Sequence, residues 1–265
     1  MKIVEPVVRI ISKPEINWDE IEAHLVGDVG AADGGRWTWD REENGSADSE
    51  SLIEFAGRKC YRSYGVGLNP NIKKVREHQD EYLNNLIRSG HGSVLEHANY
   101  TLVLHNVSRV LTHELVRHRA GTAYSQESLR YVRLTEIPMW LPEWVKEDPD
   151  AMTKVVELVE QMEEFQAWGA EHWGLDSPGT EFRTKKEVTS FMRRLAPEGL
   201  ATSVVMTANV RAIRHIIEMR TAKGAEEEIR EVAGKIGKLM AWEAPQLFGD
   251  YLVNDGEWLS DNKKV

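Results

Sequence analysis

Apolar positions along this chain recur with two periods, and the switches between them mark out its elements. From Asn99 to Val107 they alternate, with Tyr100, Leu102 and Leu104 on one face, which predicts a strand. A β-branched stretch near Thr202 to Thr207 predicts another. Elsewhere the period is helical: Leu52, Phe55, Ala56 and Cys60 share a face, as do Val155, Val159, Met162 and Phe165, and again Ile213, Ile216 and Ile217. Ser108 resembles an N-cap for a helix running into Arg117-His118-Arg119. Asn69-Pro70 resembles an N-cap followed by Pro at the first helical position, with Gly90 as the stop. Asp148-Pro149 opens a further helix, and Gly174 to Gly179 is a linker. Helices are then predicted near Lys185 to Leu195, Val210 to Thr221 and Ala225 to Trp242. The segment from about Val26 to Ser51, rich in Gly, Asp, Glu and Ser, predicts an irregular loop or insertion. The expected architecture is one α/β (α+β) domain over 52–251, preceded by an acidic N-terminal extension (1–51) and followed by a tail (252–265).

Composition narrows the class. A chain of 265 residues that is 41% hydrophobic can bury a large core. No run approaches the ~18 apolar residues of a membrane span, and Met1-Lys2-Ile3-Val4-Glu5-Pro6 lacks the apolar core of a signal peptide. Cys60 is the only cysteine, so no disulfide framework or thiolate metal site is expected, and the natural home is a reducing cytoplasm. Its place on an apolar helical stripe predicts a buried core thiol.

The net charge of -10 argues against nucleic acid as a partner. It leaves room for a small anion, because the arginines are concentrated. Arg117, Arg119, Arg130 and Arg133 form one group, Arg193 and Arg194 a second, Arg211, Arg214 and Arg220 a third. A focused phosphate site explains such clusters in an acidic chain better than a nucleic-acid groove does.

Two familiar chemistries are absent. His113 and His118 stand five apart, about 140° around a helix of ~100° per residue, so they are no zinc pair, and no metal is expected. Neither Gly-x-Gly-x-x-Gly nor a Walker-type loop occurs, so any dinucleotide must be held without a Rossmann or P-loop fold. Arg220 is more pointed, since it extends the isoleucine stripe toward the core. Such an arginine needs an internal carboxylate or an electron-rich ligand. His118 falls with Leu111 and Leu115 on one helix face, as a packed core histidine or a ligand contact.

The densest chemistry lies in Arg117-His118-Arg119-Ala120-Gly121-Thr122-Ala123-Tyr124-Ser125-Gln126-Glu127-Ser128-Leu129-Arg130-Tyr131, where guanidinium groups stand beside hydroxyls and an amide. This block resembles the signature of flavin-dependent thymidylate synthases of the ThyX type. Leu52 to Tyr61, Gly90-His91-Gly92-Ser93-Val94-Leu95-Glu96-His97, Arg193 before Pro197, and Asn209-Val210-Arg211 with Arg220 match further family segments in order, over roughly Leu52 to Tyr251.

The resemblance implies a helix-flanked antiparallel sheet that assembles as a homotetramer with active sites between subunits. It implies FAD bound through Ser93, Arg117, His118, Arg119, Gln126, Asn209, Arg211 and His215. A pyrimidine nucleotide would be met by Glu114, Arg117, Gln126, Glu127, Ser128, Leu129, Arg130, Arg193 and Arg220, with Arg220 promoting ionisation at the ring N3. NADPH and methylenetetrahydrofolate would be co-substrates for methylation of dUMP. Three departures stand out: eight residues, Ala120 to Glu127, where the family usually has seven; Gly224 in place of a histidine; and Glu114 where Gln is common. They leave open UMP in place of dUMP, as in nucleoside-antibiotic relatives, and hydroxymethyl in place of methyl. A non-catalytic nucleotide- or RNA-binding module is the rival class.

Overall fold

In the computed structural model, which describes residues 1–27, 47–65 and 68–265, the alternating segment is the longest strand of a four-stranded antiparallel sheet. The strands are β1 (Lys2–Ile3), β2 (Val7–Ser12), β3 (Asn99–Ser108), β4 (Thr122–Gln126), β5 (Pro138–Met139), β6 (Ala201–Asn209), β7 (Leu252–Asn254) and β8 (Glu257–Leu259). The main sheet runs in the order β2-β3-β6-β4, while β1 pairs with β5 and β7 with β8. Helices α1 (Trp18–Leu25), α2 (Asp48–Tyr61), α3 (Gln79–Arg88), α4 (Arg109–Leu115), α5 (Glu143–Lys146), α6 (Pro149–His172), α7 (Phe182–Met192), α8 (Val210–Thr221), α9 (Glu227–Glu243) and α10 (Pro245–Phe248) flank it. The mixed α/β expectation therefore holds, and an edge strand, β2, comes from the segment set apart as an extension.

The core forms where the inward face of the sheet meets two helices. Tyr100, Leu102 and Leu104 of β3 lie beside Val204, Met206 and Ala208 of β6, all essentially solvent-free. Ile213, Ile216 and Ile217 of α8 and Ile229, Val232, Ile236 and Met240 of α9 cover them. Both central strands run straight into helices. Ser108 ends β3 and caps α4 through the Leu111 N–H at 3.1 Å, while Asn209 ends β6 and caps α8 through the Ala212 N–H at 2.8 Å. A bulge near Asn106, whose φ is 59°, shifts the β3–β6 register just before that first cap.

Four expectations need correction. Asn69-Pro70 starts no helix: Asn69 Oδ1 accepts from the Asn71 N–H at 3.0 Å, an Asx turn, and α3 begins only at Gln79. Gly90, with φ 71°, does follow its C-terminus. Cys60 is exposed, because a buried Glu54–Arg58 ion pair at 2.6 Å occupies the inward face of α2 with Ile53 and Gly57. Helix α4 stops at Leu115, so Arg117-His118-Arg119 lies beyond it. The loop expected over Val26–Ser51 falls mostly outside the described residues, but its last part, from Asp48, is the first turn of α2. Among the described residues, no helix is long and apolar enough to cross a membrane.

Candidate active site

The C-terminal ends of α4 and α8 meet, and Arg220 lies between them. Exposed carbonyls and the helix dipole both favour a cation there. Arg220 Nη2 donates to the Glu114 carbonyl at 3.0 Å, Nη1 to Glu114 Oε2 at 2.7 Å, and Nε to His118 Nε2 at 2.8 Å. Arg220 thus ends the isoleucine stripe without entering the core, its side chain 18% exposed, and it has the internal carboxylate partner that the sequence left open. Three of its five N–H donors are committed; two remain.

Freed from α4, His118 is not packed on an apolar helix face as expected. Its carbonyl accepts from Thr122 Oγ1 at 2.6 Å and the Tyr124 hydroxyl at 2.9 Å, and its ring stands edge-on to His215 at 5.6 Å. Burial first, then the Arg220 charge, then His215, hold its pKa down at about 4.

Next to this cluster, the turn before β4 closes on the start of α8. Gly121 has φ 69°, a Cβ there would lie 2.3 Å from Asn209 Nδ2, and the Asn209 N–H donates to the Gly121 carbonyl at 3.0 Å. Arg211, one residue into α8, pairs with Glu96 at 2.7 Å. Glu96 closes a 3₁₀ turn, Gly92–Glu96, that carries exposed Ser93 and packs on α8. Ser93 also faces a cavity of about 410 Å³ with Cys60, Tyr61 and His91. Arg117 and Arg119 are exposed and carry no ion pair among the described residues.

The remaining candidates sit at the far end of β4, which pairs with β6 from Thr122↔Ala208 to Gln126↔Val204. The Glu127 N–H donates to the Ser203 carbonyl at 3.0 Å, and Ser128 Oγ accepts from the Arg130 N–H at 3.3 Å. Gln126 Nε2 and Arg130 Nε are buried without a hydrogen-bond partner among the described residues. Leu129 and Arg193 line a cavity of about 640 Å³ together with Gln166, Thr189 and Met192. The structure thus divides the sequence-derived candidates into two groups. Glu114, His118, His215 and Arg220 gather at one end of β4 with Ser93, Asn209 and Arg211, while Gln126 to Arg130 and Arg193 gather at the other.

Two further residues hold these groups in place, and one of them, Arg214, does not belong to the phosphate-binding cluster in which the sequence put it with Arg211 and Arg220. Arg214 is fully buried and pairs with Asp250 at 2.6 Å, fixing α8 to the segment before β7. Its signal was present: Val210, Arg214, Ile217 and Thr221 share a helical face that is wholly buried. Glu228, at the start of α9, accepts from the Ser108 N–H at 2.6 Å and from the Ser108 hydroxyl, anchoring the cap of α4. Burial raises its pKa to about 7 against those hydrogen bonds, with Glu226 and Glu231 adding to the rise.

Residues 44–246 match the Thy1 model, described as thymidylate synthase complementing protein. A flavin-dependent thymidylate synthase of Mycobacteroides abscessus is 36% identical over 238 residues, covering 86% of this chain and 87% of the relative. Proteins of the same name from Mycobacterium bovis and Corynebacterium efficiens are 34% and 32% identical, each over 86% of this chain and 87% of the relative. On the extent of the family match and the identity carried across most of both chains, this protein belongs to the Thy1 family, among the flavin-dependent thymidylate synthases.

Proposed function

We propose that this enzyme methylates dUMP at C5 reductively, giving dTMP, with FAD as cofactor and NADPH and methylenetetrahydrofolate as co-substrates. The observation that carries the reading is Arg220: a part-buried guanidinium, locked on three sides, with two donors left over. Uracil C5 is a weak nucleophile until electron density enters the ring. A preorganised cation facing a ring carbonyl and an ionising N3 supplies that push where water is excluded. Among the described residues, the only thiol, Cys60, is not a partner of this cluster, so ring activation falls to Arg220.

The residues present suit the flavin nucleotide. The turn before β4 is fastened to Asn209 through Gly121, and the unpaired Arg117 and Arg119 stand beside it in sequence, cations suited to a diphosphate. Ser93, Asn209, Arg211 and His215 complete the set that would hold it, and when bound it supplies the reducing equivalents for the one-carbon unit. Gln126, Glu127, Ser128, Leu129, Arg130 and Arg193 would hold the nucleotide, and Leu129 and Arg193 already line a cavity of about 640 Å³. The family resemblance supports a homotetramer in which neighbouring copies complete each site.

The test is direct. The purified protein should show flavin absorbance, and incubation with NADPH, methylenetetrahydrofolate and either dUMP or UMP should add a methyl group to dUMP by mass spectrometry. Methylation of UMP alone, or a hydroxymethyl product, would move the assignment to the alternative substrate or product. Arg220→Ala should retain flavin yet lose tritium release from C5-labelled nucleotide; retained release would remove Arg220 from the mechanism.

A further inference from the structure

Counting donors and acceptors around Arg220 fixes more than its own role. An N–H of Arg220 points at His118 Nε2 from 2.8 Å, so that nitrogen carries a lone pair and the ring proton resides on Nδ1. We propose that His118 is a positioning residue for Arg220. As a neutral, Nδ1-protonated imidazole it accepts the Nε–H and, with Glu114, sets the guanidinium plane, so that the two uncommitted N–H groups, one on each terminal nitrogen, are held in fixed directions for a pyrimidine. This rests on the reading of Arg220 given above, and it assigns His118 no part in proton transfer.

The geometry supports each step. A guanidinium turns about its Cδ–Nε bond unless its nitrogens are held; here hydrogen bonds at Nε and at both terminal nitrogens stop that rotation together. His118 is itself held, its N–H donating to the Leu115 carbonyl at 3.1 Å and its carbonyl receiving two hydroxyls. Protonated His118 would present an N–H to an N–H and a positive charge to a positive charge. The groups facing it are Arg220 and His215 from α8, Glu114 from α4 and Tyr124 from β4, with Arg117 and Arg119 flanking it in sequence. Glu114 alone among them favours a cation, and its carboxylate is already committed to Arg220. His118 therefore stays an acceptor throughout the neutral range, consistent with its depressed pKa.

Nitrogen NMR of histidine-labelled protein, with the His118 signals identified by their loss in His118→Gln, reads the tautomer without any turnover. The expected result is an unprotonated Nε2 and a protonated Nδ1 from about pH 5.5 to 8, the span over which an ordinary histidine near 6.5 would change charge. Tritium release per bound flavin should fall about tenfold to hundredfold in His118→Ala, as for loss of a hydrogen bond to a charged group. His118→Gln, which can return an acceptor near the Nε2 position, should recover most of that loss, with the effect in kcat more than in nucleotide KM. A proton on Nε2, equal impairment of the Ala and Gln variants, or a kinetic pKa near 6.5 abolished by His118→Gln would overturn the assignment. Absence of tritium release from any pyrimidine nucleotide by the unsubstituted enzyme would defeat the proposed function instead, and the NMR result would still decide the tautomer.

Discussion

Arg214 and Asp250 lie 36 residues apart in sequence, yet their side chains form a two-pronged pair, Nη1 to Oδ1 at 2.6 Å and Nη2 to Oδ2 at 2.7 Å. Burial would by itself raise the Asp250 carboxyl, but Arg214, helped by Ser260 and Asn262, holds it down at about 2. Asp250→Ala strands a buried cation and should cost about 3–5 kcal/mol in urea unfolding. Arg214→Lys should not restore the loss, since an ammonium cannot match both oxygens. The group's contribution is present above its ordinary value of 3.8 and is lost as pH falls through about 2, so acid unfolding should move to higher pH in Asp250→Ala.

Glu228 works in the opposite sense. Its carboxyl is raised from 4.5 to about 7, so it favours the folded state below pH 4.5 and loses that contribution as pH rises through 7. Stability should fall across that window by about 1.4 kcal/mol per pH unit from this group alone. Glu228→Gln should flatten the slope, as read by unfolding curves at several pH values. An unchanged slope would show that the charge of Glu228 is relieved in some other way.

Gly121 and Gly234 make a matched pair. Alanine at Gly121 meets a left-handed backbone and Asn209 at 2.3 Å, so it should lower stability by about 1–3 kcal/mol and reduce bound flavin, measured by absorbance. At Gly234, inside α9, a Cβ meets nothing within 4 Å, and Gly234→Ala should stabilise by about 0.5–1 kcal/mol with flavin content unaltered.

Arg193 is exposed on the wall of the larger cavity, with no ion pair among the described residues. If it grips the nucleotide phosphate, Arg193→Ala should raise nucleotide KM about tenfold or more, as expected for a lost charge-assisted contact. Flavin absorbance should be unaffected. A change confined to kcat would place Arg193 elsewhere in the reaction.

Much of the architecture could be read along the chain because local signals suffice for it. Strand β3, the Ser108 cap, the Asp148-Pro149 start of α6 and the span of α8 follow from alternation, hydroxyl caps and periodicity. What escaped depends on partners distant in sequence. Cys60 lost its place in the core to Glu54 and Arg58, whose mutual neutralisation lets charged residues occupy an inward face. The early end of α4 freed His118 from Leu111 and Leu115, so the helical wheel assigned it the wrong neighbours. Arg220 was recognised as needing a partner, but only the meeting of two helix ends identifies Glu114 and His118 as that partner.

The ladder between β4 and β6 acts as a ruler between the two groups of candidate residues. With Thr122 opposite Ala208 and Gln126 opposite Val204, the part of the span that runs from Thr122 to Gln126 is set by strand rises of about 3.3 Å each. A residue added inside β4 would turn every following side chain to the other face and carry Ser128 one step away. The same addition at Ala120 or Gly121, ahead of the first rung, is taken up by the turn. Exchanges of this segment should therefore be cut at the turn, never within the strand.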